Sequence, residues 1–126
     1  MGHSVPLAAL FQSPTIELLA ETIRKGNWEP AWSPVVELQH GTGVPFFCIH
    51  SLGANLLSYQ QLVRLSRPEQ QFYGLQPHGL DGKREPQTSI QDIAATYVRE
   101  IRRIQPKGPY QIGGVCLGGV IAFEMA

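Results

Sequence analysis

The sequence predicts an α/β protein built around a parallel β-sheet. A nearly continuous apolar run at residues 45–50 is typical of a strand that is buried on both faces of a sheet. Shorter strand-like runs follow at residues 71–76 and 110–114, and segments with helical spacing of apolar residues separate them. A glycine-rich turn then leads from the last strand into another helix. This alternation of strands and helices indicates the α/β class.

The first 39 residues predict a helical zone, a linker and a first strand. Apolar residues recur at helical spacing through residues 5–23, and Ser13-Pro14 predicts a new helix because proline suits the first helical turn. Residues 27–34 contain two prolines and two tryptophans without periodicity, which predicts a linker. Residues 35–39 are predicted as a strand that ends at a glycine-bearing turn.

Two helices are predicted around the strand at residues 71–76. Residues 54–66 form a short amphipathic segment that ends before Pro68. Residues 90–104 form the clearest helix, with Ser89 as its N-terminal cap. Its predicted apolar face consists of Ile90, Ile93, Ala94, Tyr97, Ile101 and Ile104.

The turn around Cys116 carries the chemistry that the sequence predicts. Its pattern is G-x-C-x-G, which matches a nucleophile elbow with cysteine in place of the usual serine. Gly114 and Gly118 lack a Cβ, so a strand and a helix can approach each other closely there. The thiol would lie at a helix N-terminus, which favours developing negative charge. The pattern indicates acyl transfer through a covalent intermediate; a simple tight turn is the alternative interpretation.

The composition excludes several functional classes. The 126 residues have 43% hydrophobic and 16% charged side chains, as expected for one small globular domain or a piece of a larger one. Ten acidic and ten basic residues balance, so we expect no nucleic-acid partner. No run of 18 apolar residues and no signal-peptide pattern is present, so we expect no membrane partner. Cys48 and Cys116 are expected to be reduced thiols in a cytoplasmic protein. No Cys/His cluster has metal-binding spacing, so no metal is expected.

Three segments resemble the type I thioesterase domain of nonribosomal peptide and polyketide synthetases. They are residues 45–53, 74–80 and 113–126, and their spacing also fits that family. The resemblance implies an α/β-hydrolase fold in which residues 35–126 form the N-terminal half of the domain, truncated after the nucleophile elbow. A short helical segment would precede it.

The N-terminal segment is similar to the end of the peptidyl carrier domain that precedes such thioesterases. The similarity lies in residues 5–11 and 13–16. It implies a carrier remnant at residues 1–26, a linker at 27–34 and the thioesterase part at 35–126. Gly2-His3-Ser4 also looks like the carrier motif whose serine receives phosphopantetheine, but the family has a whole helix between that serine and the segment that follows. Ser4 as a modified site and Ser4 as an ordinary terminal serine both remain open.

The resemblance implies a role for each candidate site residue. Cys116 occupies the nucleophile position, and the backbone N–H groups of Leu117 and Leu52 occupy the oxyanion-hole positions. For Leu52, the alternative of a simple loop residue remains open. The substrate would be an acyl or peptidyl chain on the 4'-phosphopantetheine of a carrier domain, released through an acyl-Cys intermediate, with no bound cofactor. The alternatives are an inert Cys116 and a noncatalytic fragment or interaction remnant of a synthetase, so whether the chain is an enzyme stays open.

The remaining histidines and aspartates do not fit the other catalytic positions of this family. In this fold the acid and then the histidine follow the nucleophile, whereas His50, His78, Asp81 and Asp92 precede Cys116. We expect His50 to support the loop after its strand, His78 to be a loop residue and Asp92 to belong to the capping turn of its helix. Without an acid and a base, the chain by itself is expected to show little turnover.

Overall fold

The computed structural model describes residues 15–25, 33–80 and 84–126. The predictions for Ser4, for Asp81 and for most of the linker lie outside these residues. The described elements, in chain order, are α1 (Ile16–Arg24), β1 (Val35–Gln39), β2 (Phe46–Ile49), a 3₁₀ turn (Leu57–Tyr59), α2 (Gln60–Leu65), β3 (Phe72–Leu75), α3 (Ile90–Ile104), β4 (Gln111–Gly114) and α4 (Leu117–Met125).

The four strands form one mixed sheet in the order β1-β3-β2-β4. β2 pairs in parallel with β3 on one side and with β4 on the other, which confirms the predicted parallel arrangement of these three strands. β1 pairs with β3 in the antiparallel sense, a pairing for which the sequence made no prediction. The reason is the short turn after β1, which reverses the chain. β1 therefore runs opposite to β2 and to every strand parallel to it.

The turn between β1 and β2 lies against the segment that precedes β3. The backbone N–H groups of Thr42 and Gly43 donate to the Glu69 carbonyl at 3.0 and 2.8 Å. A Cβ on Gly41 would lie 2.8 Å from the backbone nitrogen of Gln71, so this close approach requires glycine. These contacts let β1 bypass β2 and join the sheet beside β3.

α1 and α3 begin at side-chain caps. Ser89 Oγ accepts from the Asp92 N–H at 3.3 Å at the start of α3, as predicted, and Asp92 lies in the first turn. α3 buries Ile93, Ala94, Tyr97 and Ile101. α1 begins after Thr15, whose Oγ1 accepts from the Leu18 N–H at 3.3 Å. The prediction of a helix start at Ser13-Pro14 lies outside the described residues.

The helix predicted at residues 54–66 is divided in the structure. Asn55 Oδ1 accepts from the Leu57 N–H at 2.7 Å, and this local bond favours the tighter 3₁₀ turn before α2 starts. Leu56 is fully buried, and Tyr59 and Val63 are also in the core.

The sheet separates two apolar clusters, and β2 contributes to both. Phe47 and Ile49 pack with residues of α3 and α4, whereas Cys48 packs with Leu56 and Tyr59 on the other side. Phe47, Cys48 and Ile49 are all fully buried. The apolar run that predicted a strand covered on both faces therefore predicted its environment correctly.

Candidate active site

Cys116 lies on a strained turn between β4 and α4. Its backbone has φ 57° and ψ −120°, a region that residues other than glycine rarely adopt, and its side chain is exposed. Such a conformation costs on the order of 1–3 kcal/mol and persists where the surrounding structure enforces it. The predicted strand–turn–helix geometry with unusual torsions at Cys116 is confirmed.

Two glycines allow the turn to form. A Cβ on Gly114 would lie 2.5 Å from the carbonyl oxygen of Gly118 and 2.7 Å from its Cα. A Cβ on Gly118 would lie 2.5 Å from the Ile49 carbonyl oxygen and 2.8 Å from that of His50. The neighbours are backbone atoms, which cannot rotate away. The G-x-C-x-G spacing therefore serves the close packing of α4 on the ends of β2 and β4.

The first turn of α4 presents a backbone donor beside Cys116. The Gly118 N–H donates to the Val115 carbonyl and the Gly119 N–H to the Cys116 carbonyl, each at 3.0 Å. The Leu117 N–H has no acceptor within the described part of the chain. An uncommitted N–H at a helix N-terminus is suited to an oxyanion or another negative group.

The loop after β2 presents two further backbone donors. Ser51 and Ala54 close a turn through an Ala54 N–H to Ser51 carbonyl bond of 2.9 Å, with Leu52 and Gly53 at its centre. The N–H groups of Leu52 and Gly53 likewise have no acceptor among the residues that the structure describes. Because Ile49 of β2 is aligned with Gly114 of the parallel strand β4, this loop and the Cys116 turn both follow the carboxyl ends of neighbouring strands.

His50 supports this loop, as the sequence predicted. Its Nδ1 lies 2.8 Å from the Ser51 carbonyl oxygen; since a carbonyl can only accept, Nδ1 carries the hydrogen. The Nε2 atom is buried without a partner in the described residues, and the ring lies edge-on to Tyr97 at a centroid distance of 6.0 Å. Burial lowers the pKa of His50, partly offset by the bond to Ser51.

Tyr59 joins the two strand ends that carry these loops. Its hydroxyl donates to the Ile49 carbonyl at 2.6 Å and accepts from the Val115 N–H at 3.1 Å. The apolar spacing of residues 54–66 predicts only an amphipathic helix and does not reveal this bridge. The available signal was a tyrosine among aliphatic residues on a buried face, since most buried phenols have a hydrogen-bonding partner. This signal is weak, because the buried Tyr97 hydroxyl has none in the described residues.

The two cysteines differ strongly in environment. Cys48 is fully buried in β2, and burial raises the pKa of its thiol to about 12. A thiol in this state supplies very little thiolate at neutral pH. Cys116 is exposed, and both cysteines are free, so Cys116 is the accessible thiol of the pair.

His78 and Asp92 lie far from Cys116 in the sequence, in a turn and at a helix start. His78 is half-buried in the turn after β3, and Asp92 is exposed at the start of α3. No group of three or more His, Cys, Asp or Glu side chains within residues 15–25, 33–80 and 84–126 could hold a metal ion. No helix in these ranges is long and apolar enough to cross a membrane.

Comparison with known proteins identifies the family of this chain. Residues 44–126 match the family described as the thioesterase domain. The whole chain is 37% identical, over 128 residues, to nonribosomal peptide synthetase btyA of Aspergillus terreus, of which it spans 14%. The chain belongs to the thioesterase domain family, in the form found in nonribosomal peptide synthetases.

Two solved structures are also similar to this chain. A four-domain nonribosomal peptide synthetase, holo-AB3403 bound to AMP and glycine, matches 98% of the chain with a TM-score of 0.70 and 34% identity, and the match covers 9% of that protein. The NocB thioesterase domain from the nocardicin cluster matches 68% of the chain with a TM-score of 0.60 and 29% identity, over 38% of its own length. The chain therefore spans a small part of the synthetase and well under half of the isolated domain.

Proposed function

We propose that this chain takes part in releasing a peptidyl or acyl chain from the 4'-phosphopantetheine thioester of a carrier domain, with Cys116 as the nucleophile. The observation that carries the proposal is the exposed Cys116 thiol on a strained strand-to-helix turn beside the uncommitted Leu117 N–H. This arrangement presents a nucleophile and an anion-binding donor at one place, as acyl transfer requires.

The proposed first step transfers the acyl group from the pantetheine sulfur to the Cys116 sulfur, so that one thioester replaces another. Cys116 gives its proton to solvent, and its sulfur attacks the carbonyl carbon of the substrate thioester. The carbonyl electron pair moves onto oxygen, where the N–H groups of Leu117 and Leu52 would donate to it. Return of that pair expels the pantetheine thiolate, which takes up a proton. Water or a nucleophile within the substrate would then discharge the acyl-Cys116.

The domain arrangement belongs to the same proposal. We assign residues 1–26 to the end of a carrier domain, 27–34 to a linker and 35–126 to the thioesterase part of an α/β-hydrolase fold. The multidomain synthetase matches nearly the whole chain, whereas the isolated thioesterase domain matches about two thirds of it, and this difference supports the division. The partner would be the carrier domain that delivers the thioester.

Intact-protein mass spectrometry with an acyl-pantetheine thioester tests the proposal. We expect one acyl group per chain, mapped to Cys116, and none on the Cys116→Ala variant. Cys48 is the internal control, because its buried thiol should stay unmodified until the chain is denatured. Acylation of Cys48 alone, or none at all, would favour the noncatalytic alternative.

A parallel thiol-release assay separates acylation from turnover. No Asp or His follows Cys116 in the 126 residues, and a general base commonly contributes about 10²–10⁴-fold to such a step. We therefore expect release of about one thiol per chain, without sustained turnover. Sustained release that requires Cys116 would show that a base elsewhere in this chain, such as His50 or His78, acts in the discharge step.

A further inference from the structure

We propose that Tyr59 is a positioning residue for acyl transfer: its hydroxyl fixes the distance between the Leu52 loop and the Leu117 N–H. The inference rests on the proposed function of Cys116. The Tyr59 hydroxyl forms no hydrogen bond with Cys116, Leu117 or Leu52. It acts through the backbone segments that carry the Leu52 and Leu117 N–H groups.

The two hydrogen bonds of Tyr59 reach opposite sides of the candidate oxyanion site. Ile49 accepts from the hydroxyl at 2.6 Å and lies three residues before Leu52. Val115 donates to the same oxygen at 3.1 Å and immediately precedes Cys116. One phenol oxygen therefore connects the end of β2 with the end of β4. Tyr59 and Val115 are 56 residues apart in the sequence.

Burial makes this connection specific. Tyr59 is 6% exposed, so water has little access to replace either hydrogen bond. Its ring packs in the apolar cluster with Leu56 and Cys48, which holds the hydroxyl in place. The loss of the hydroxyl would leave the Ile49 carbonyl and the Val115 N–H without this partner, although the β2–β4 pairing would remain.

The position of the bridge matters because an oxyanion forms only during acyl transfer. Donors must lie where the negative oxygen develops, and a displacement of about 1 Å can slow a reaction about 10²-fold. Alkylation of the same sulfur by iodoacetamide displaces iodide at a saturated carbon and forms no oxyanion. Comparing the two reactions on Cys116 therefore separates the donor geometry from the exposure of the thiol.

The test compares Tyr59→Phe with Tyr73→Phe. Tyr73 is a matched control, because its hydroxyl also accepts a hydrogen bond, from Gln71 Nε2 at 2.8 Å, and its half-buried ring stacks on Phe47 within the same sheet. We expect Tyr59→Phe to slow acylation of Cys116 by acyl-pantetheine at least about tenfold, short of the 10²–10³-fold cost of removing an oxyanion donor. Alkylation should change less than about twofold, and Tyr73→Phe should change neither rate.

Each other outcome has a distinct meaning. Equal acylation of wild type and Tyr59→Phe, or equal slowing of acylation and alkylation, would overturn the inference while the proposed function stands. Loss of the native far-UV circular dichroism spectrum in Tyr59→Phe would also overturn it, because the bridge would then hold the fold. Absence of wild-type acylation would overturn the proposed function and the inference together.

Hydrogen exchange in the wild-type chain provides a measurement that does not depend on a variant. The Val115 amide, read by NMR, should be protected because it donates to the buried Tyr59 hydroxyl. The Leu117 and Leu52 amides, which have no acceptor in the described residues, should exchange faster. Exchange of Val115 as fast as these two would show that the bridge does not form.

Discussion

At the scale of single residues, His50 shows how burial sets the chemistry of a side chain. Its Nδ1–H is committed to the Ser51 carbonyl, while the buried Nε2 faces no acceptor in the described structure. Protonation would place a positive charge and a new N–H at that site without a partner. The lowered pKa of His50 follows from this desolvation. The neutral ring is therefore the form that supports the Leu52 loop.

The stability of the chain should consequently fall in mild acid. Unfolded histidine has a pKa of about 6.5 and the folded pKa lies below it, so between these values the unfolded state binds more protons. The free energy of unfolding should be constant with respect to His50 above this range and decrease below pH 6.5, by up to about 1.4 kcal/mol per pH unit. Urea titrations at several pH values measure this slope.

Two histidine variants test whether His50 causes this pH dependence of the free energy of unfolding. His50→Gln should flatten the dependence, whereas His40→Gln, which changes an exposed histidine paired with Glu37, should retain most of it. An unchanged pH slope in His50→Gln would contradict the assignment.

At the scale of elements, Gly118 allows α4 to pack closely against the sheet and so determines its position. Gly118 lies against the backbone carbonyls of Ile49 and His50, so the N-terminus of α4 approaches the end of β2 directly. This contact places the first turn of α4 beside the end of β2, where the loop that carries Leu52 begins. The separation of the two candidate donors therefore depends on helix packing as well as on the Tyr59 bridge.

Gly118→Ala should weaken this packing. The added methyl group would lie 2.5 Å from the Ile49 carbonyl oxygen, so α4 must move, and overpacking of this kind typically costs about 1–3 kcal/mol. Gly53→Ala is the matched control, because a Cβ there would meet nothing within 4 Å. Denaturant unfolding of both variants measures the difference, and an equal loss of stability would refute this role for Gly118.

At the scale of the whole molecule, one region presents an unusual apolar surface. α4 carries a single charged residue, Glu124, and its Phe123 and Val120 are 85% and 51% exposed. Within the described residues, β4 pairs with β2 on one side only, so its other edge offers free backbone groups. Helices with such composition are normally buried, and open strand edges promote association.

The 126-residue chain should therefore self-associate as its concentration rises. Phe123→Lys should shift sedimentation velocity profiles towards the monomer, because a charge on this surface opposes apolar contact. Leu65→Lys is the control: Leu65 is 88% exposed at the end of α2 and should leave association unchanged. A wild-type chain that stays monomeric and unfolds cooperatively at high concentration would contradict the expectation.

Local sequence patterns predicted most of the elements and the centre of the candidate site. The bounds of α3 agree with the apolar spacing, and β2, β3 and β4 lie within the predicted runs. The position of Cys116 on a strand-to-helix turn followed from glycines two residues away on either side. These features were accessible because periodicity, capping and turn chemistry involve residues that are close together in the chain.

Contacts between distant residues determined the rest. Sequence patterns did not reveal that β1 pairs with β3, that Tyr59 bridges Ile49 and Val115, or that His50 Nε2 lacks a partner in the described residues. Most buried polar groups form hydrogen bonds, but whether a partner is present, and which one, follows from which strand ends meet in space. Sheet order and helix packing bring those ends together, so the hydrogen-bond geometry around Cys116 emerges only when the chain is folded.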